Sequence, residues 1–157
     1  MLLLTACSSA SGPYPSLQPR AAEEIDPRLQ PVRPINERPV AASLAAQLAA
    51  LVDQARGAET AFEPAIAAAE RLAAVAGAPQ SESWITAQEA LSAAIGARKP
   101  TALAQADIDA LGASALQTHG GIAPNDLKAI QRAAAEVASI ANGQTERIDA
   151  VRKRLGS

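Results

Sequence analysis

Between Leu127 and Leu155, one set of positions recurs in steps that alternate between three and four: Leu127, Ile130, Ala134, Val137, Ala141, Gln144, Ile148, Val151 and Leu155. All but Gln144 are apolar or small. That alternation averages 3.5 residues, so the set forms one stripe along a helix, and the stripe must be covered by other helices. In a strand, every step of three would put the next member on the opposite face. The feature therefore commits the chain to helix-on-helix packing over its last thirty or so residues.

A second stripe begins at Val40: Leu44, Leu48, Leu51, Ala55, Ala58, Phe62, Ala65, Ala69, Leu72 and Ala76. Gly57 and Pro64 weaken helix propensity there without breaking the phase. Thr60 to Glu63 has the form of a capping box, which would divide the segment near residue 58. The unbroken register favours one long helix kinked near Pro64. Gly77-Ala78-Pro79 ends it, and Ser81 or Ser83 can cap a second helix carrying Trp84, Ile85, Gln88, Leu91 and Ile95 to about Arg98. Lys99-Pro100 reads as a turn and Thr101 as the cap of a third helix, with Leu103, Ala106, Ala110, Leu111 and Ala115 inward and Gly120-Gly121 as its stop. Pro124 suits the first position of the fourth helix, and Asp126 lies near its positive dipole end.

Composition agrees with an all-α fold. Hydrophobic residues make up 48% of the chain but aromatics only 2%, and alanine is the strongest helix former. Short connections between four helices predict an antiparallel up-down four-helix bundle over residues 40–157. The long first and last helices then outreach the short middle pair. Val40 to about Ala55 is expected to pair with about Gln144 to Leu155 as a coiled-coil-like stalk. Leu44, Leu48, Leu51, Ile148, Val151 and Leu155 form the candidate interaction seam of that stalk, for an envelope protein or a second copy of the chain.

Ahead of the helices, residues 7–39 hold seven of the eleven prolines and read as a disordered, extended tether. It starts at the only cysteine. Leu4-Thr5-Ala6-Cys7 resembles a bacterial lipobox, with an aliphatic residue three before the cysteine and small residues at the two positions directly before it. The resemblance implies that Cys7 becomes the first mature residue, carrying a thioether-linked diacylglycerol and an amide-linked acyl chain. Several acyl chains anchor stably where one does not. Ser8, rather than aspartate, at the next position implies sorting to the outer membrane. Only Met1-Leu2-Leu3-Leu4 precede the box, with no basic residue, so residues 1–6 are expected to be the end of a signal peptide that begins upstream. Without such an extension the chain is expected to be cytoplasmic.

The chain carries 14 basic and 16 acidic residues, interspersed, which excludes the clustered basic face of nucleic-acid binders. Arg152-Lys153-Arg154 complements the negative end of its helix. One cysteine rules out an intramolecular disulfide. His119 has no nucleophile and orienting acid at readable spacing. Asp107 and Asp109 point to different faces, and Glu59 and Glu63 lack a matching histidine, so no catalytic, metal or cofactor site is expected. The reading is a non-enzymatic scaffold, similar in size and class to helical secretion pilotins. Its heptads are similar to those of murein-anchored lipoproteins of the Braun type, which end on a lysine where this chain ends Lys153-Arg154-Leu155-Gly156-Ser157. The alternative is a binder of small apolar ligands in gaps around Trp84.

Overall fold

The computed structural model describes residues 38–156, and the expected signal-peptide end, Cys7 and the tether up to residue 37 lie outside them. The described chain forms four helices: α1 (Ala42–Ala74), α2 (Glu82–Ala97), α3 (Lys99–His119) and α4 (Pro124–Leu155). Helix α1 runs unbroken through Gly57 and Pro64. Pro64 has no N–H for the carbonyl of Thr60, but both residues are exposed, so water can satisfy that carbonyl. Ser81 caps α2 by accepting a bond from the Trp84 amide at 3.3 Å. A Cβ at Gly77 in the preceding loop would lie 2.9 Å from the Ser81 hydroxyl and force that capping group to shift.

The four helices make three rods, which corrects the expected up-down-up-down bundle. Arg98 closes α2 and opens α3 with φ −79° and ψ −5°, still in the right-handed helical region. Pro100 falls in the first turn of α3, where its missing N–H costs nothing. The chain thus continues forward through Lys99-Pro100 instead of reversing. Helices α2 and α3 form one broken middle rod over residues 82–119, about as long as α1 or α4, and they scarcely touch each other.

Contacts fix the rod directions. Ala41 meets Asp126, Arg56 meets Glu136, and Glu63 and Glu70 meet Arg147. The numbers rise together, so α1 and α4 are parallel. Against the middle rod they run oppositely: the Gln54 side chain donates to the Pro100 carbonyl at 3.1 Å, while the N–H of the Trp84 indole reaches the Leu155 carbonyl at 3.0 Å. The expected stalk is therefore absent. Val40–Ala55 packs beside the first half of α4 and α3, and Gln144–Leu155 packs beside the second half of α1 and α2.

The interior falls into two clusters. Phe62, Ile66, Ala69 and Ala73 pack with Ala87, Leu91 and Ala94 of α2 and with Ile148, Val151 and Leu155 of α4. Leu48, Val52 and Ala55 pack with Ala104 and Ile108 of α3 and with Ile130, Ala133 and Val137 of α4. The α4 stripe read from the sequence is this interior, apart from Leu127, which is 39% exposed, and Ala134, which is half-buried; Ala133 takes the inner position. For α3 the inward set differs. Thr101, Ala104 and Ile108 are buried, whereas Leu103 is 48% exposed and Ala106 and Ala110 are exposed.

Candidate functional site

The six seam residues do not form an open stripe. Leu48, Ile148, Val151 and Leu155 are core, while Leu44 and Leu51 lie half-buried against the cluster beside α3. Because α1 and α4 are parallel, the two trios sit at opposite ends of the bundle. Cys7 lies outside the described residues.

The apolar surface instead lies between α1 and α3. Gln47, Ala50, Leu51, Asp107, Ala110, Leu111 and Ser114 line an open recess of about 530 Å³. Asp107 is its one charge. Leu103 and, at 55% exposure, Leu116 lie exposed on the same helix. Alanine and serine walls let another backbone come close, and the near absence of charge lowers the cost of covering the surface. Two of the lining residues, Ala110 and Leu111, belong to the set expected inward from spacing; Ala110 is exposed and Leu111 half-buried.

The α1/α4 face is polar. Arg147 donates to Glu63 at 2.6 Å and to both oxygens of Glu70 at 3.0 and 3.1 Å, and its guanidinium lies 5.9 Å from the Phe62 ring centre. The bidentate hydrogen bonds from Arg147 hold the Glu70 carboxyl below the usual glutamate range, against a smaller opposing effect of burial. The same two carboxylates push the Arg147 pKa up. Glu63, which the sequence places four residues from Glu59, is thus paired across helices with Arg147. No group of three or more His, Cys, Asp or Glu suited to a metal occurs among the described residues.

Between the two core clusters lies a polar layer. Gln144, 2% exposed, donates through Nε2 to the Thr101 hydroxyl at 3.2 Å, and its Oε1 is buried without a partner. Next to it Arg98 donates to Thr145 at 2.9 Å. Thr101 is thus an interior contact rather than a cap. A heptad-length slide of α4 would bring Val137 or Val151 to this level and strand the glutamine amide, so the pair opposes slippage in an alanine-rich interior.

Where the chain enters the bundle, Asp126 is buried and ion-paired with Arg38, and it accepts the Ala41 amide at 3.2 Å. Asn125 donates to the Arg38 carbonyl at 3.0 Å. Arg38 is thereby held against the first turn of α4. Asp126 acts as a clamp on the incoming chain, a role its position near the dipole did not reveal.

The other candidates are placed as follows. His119 is the last residue of α3, followed by Gly120 in the left-handed conformation at φ 63°. Asp107 and Asp109 are both exposed. Trp84 packs on the α2-side core and ties down a terminal carbonyl of α4. Arg152, Lys153 and Arg154 occupy the last turn of α4, with Arg152 paired to Asp149 at 3.2 Å. No helix among the described residues is long and apolar enough to cross a membrane. The chain matches no family model, and no curated protein and no solved structure is significantly similar to it.

Proposed function

We propose that the chain is an outer-membrane-anchored lipoprotein whose helical body is a non-catalytic scaffold or pilotin-like module on the periplasmic side. The observation that carries this reading is Leu4-Thr5-Ala6-Cys7, the sole cysteine in a lipobox pattern, followed by a proline-rich stretch and then a helical body that starts at Ala42. The α1/α3 face supports the binding half of the reading. It is apolar, almost uncharged and lined by small residues, and it replaces the buried seam as the contact surface for an envelope protein or a second copy.

Metabolic labelling with an alkynyl palmitate analogue tests the anchor, with the gene expressed from its own locus, upstream region included. The chain should take up label and sediment with outer membranes, and Cys7→Ala should abolish both. An unlabelled, soluble chain would overturn the anchor. The size of the same recess favours a second reading, a small apolar ligand held between Leu51 and Leu111. Broadening of the Leu51 and Leu111 methyl signals by long-chain fatty acid or lipid-like probes, at protein concentrations where the chain is monomeric, would favour the ligand. Concentration-dependent broadening without any probe would favour self-association.

A further inference from the structure

We propose that α3 is a hinged segment that leaves the bundle while α1, α2 and α4 stay packed. Its attachment is concentrated at one end. Thr101, Ala104 and Ile108 are its buried residues, and from Asp109 to Thr118 no side chain is buried. Of those three, one is a hydroxyl and one an alanine, so Ile108, with the half-buried Leu111 packed against the same cluster, supplies most of the apolar burial. The polar ties sit at the same end: Gln144 to Thr101, Gln54 to the Pro100 carbonyl, and Arg98 to Thr145. Among the described residues, no side chain from 102 to 118 makes a hydrogen bond or ion pair with another helix.

Both ends of α3 can pivot. At Arg98 the two pieces of the middle rod meet with little mutual packing, and Pro100 supplies no N–H to bond back into α2. At the far end, Gly120 adopts φ 63° and leads into the non-helical residues Gly121–Ala123. Gly112 in mid-helix adds the conformational cost of glycine. Helix α2 shares the Arg98 joint but is held along its length, since Ala87, Leu91 and Ala94 are buried and Trp84 is bonded to the end of α4. Detachment of α3 uncovers Leu48, Val52, Ile130 and Val137, the apolar groove between the parallel rods. A segment with no buried side chain from Asp109 to Thr118 opens more easily than the whole domain unfolds.

Native-state hydrogen exchange on the full chain, read residue by residue by NMR, tests this. Amides from Ala102 to Thr118 should exchange on the order of 100-fold faster than those of α2 and of Gln144–Val151, with a weak dependence on denaturant. Leu91→Ala separates local from global opening. It should accelerate exchange in α2 by at least about thirtyfold and leave the α3 amides unchanged, because α2 remains packed in the opened state. Should Leu91→Ala not fold, the milder truncation Ile95→Ala at a half-buried α2 position makes the same separation, and Gly112→Ala probes α3 itself. An added Cβ at Gly112 meets only Ile130 Cγ2 at 3.9 Å, so the variant should slow exchange in α3 about fivefold. If α3 and α2 amides exchange at one common rate in the native chain, or accelerate together in Leu91→Ala, α3 opens only with the whole domain and the proposal fails.

Discussion

The two pieces of the middle rod occupy equivalent places against the same parallel pair, yet they are held very differently. Helix α2 faces Phe62, Ile66, Ile148, Val151 and Leu155, and it contributes Leu91 and the half-buried Trp84 and Ile95. Helix α3 faces Leu48, Val52, Ile130 and Val137 with Ala104, Ile108 and the half-buried Leu111. The longer helix therefore has the weaker attachment. Helix length adds backbone bonds, but docking depends on how much apolar surface each turn removes from water, and alanine removes little. The weaker piece is also the one that borders the uncharged recess. Its exposed Leu103 and Leu116 lie on the same helix as that recess.

The largest effect should come from breaking the stronger half. Phe62→Ala should lower stability by about 3–5 kcal/mol in urea unfolding. Ile108→Ala should cost about 2 kcal/mol, at the low end for such truncations, because the edge of α3 can settle into the space. Equal losses would erase the distinction between the halves. The polar layer that divides them gives an effect of opposite sign. Replacing Thr101 by valine and Gln144 by leucine together removes a buried, half-satisfied pair and should raise stability by about 1–3 kcal/mol. A loss of stability in that double variant would show that the hydrogen bond is worth more than the desolvation it requires.

A smaller effect belongs to the α1/α4 face. Glu70 is held below its ordinary value of 4.5 by the hydrogen bonds from Arg147. A carboxyl with a lowered folded-state pKa stabilises the protein above its unfolded value, and the contribution disappears as pH falls through the folded value. Glu70→Gln should therefore reduce stability at pH 7 by less than about 1 kcal/mol, since both partners are partly exposed. The gap between variant and native chain should close below pH 4.5. A gap that persists at pH 2 would assign the loss to packing. Smallest of all is Leu103→Ala, expected within about 0.5 kcal/mol, whereas an inward Leu103 would cost several times more.

Why one stripe was legible and another was not follows from residue size. In α4, Ile130, Val137, Ile148, Val151 and Leu155 stand out against polar neighbours, so the interior can be read from spacing alone. In α3, alanines occupy every face, and Leu103, Ala106 and Ala110 suggest a phase that the buried Thr101, Ala104 and Ile108 contradict, while Leu111 and Ala115 of the expected set are half-buried. Thr101 looks like a cap because hydroxyls favour helix starts, yet it serves as the interior partner of Gln144. Lys99-Pro100 looks like a reversal, but proline in a first helical turn is equally compatible with going straight on. That one junction changed four antiparallel helices into three rods. It carried the Leu44 and Leu155 ends apart and turned an expected seam into core. The Asp126 clamp was hidden for another reason: its partners Arg38 and Ala41 are 85 or more residues away in the chain.

The parallel frame is the claim on which the rest depends, and one distance tests it. Spin labels at the exposed positions Ala46 and Lys153, in a chain with Cys7→Ser, can be measured by pulsed electron resonance. The α1/α4 ion pairs place Ala46 level with the start of α4, about 27 residues below Lys153, so a rise of 1.5 Å per residue gives a separation of about 40 Å. A distribution centred near 40 Å is the predicted result. One centred below about 20 Å would put the first turns of α1 beside the last turns of α4, restore the antiparallel stalk and contradict the three-rod fold.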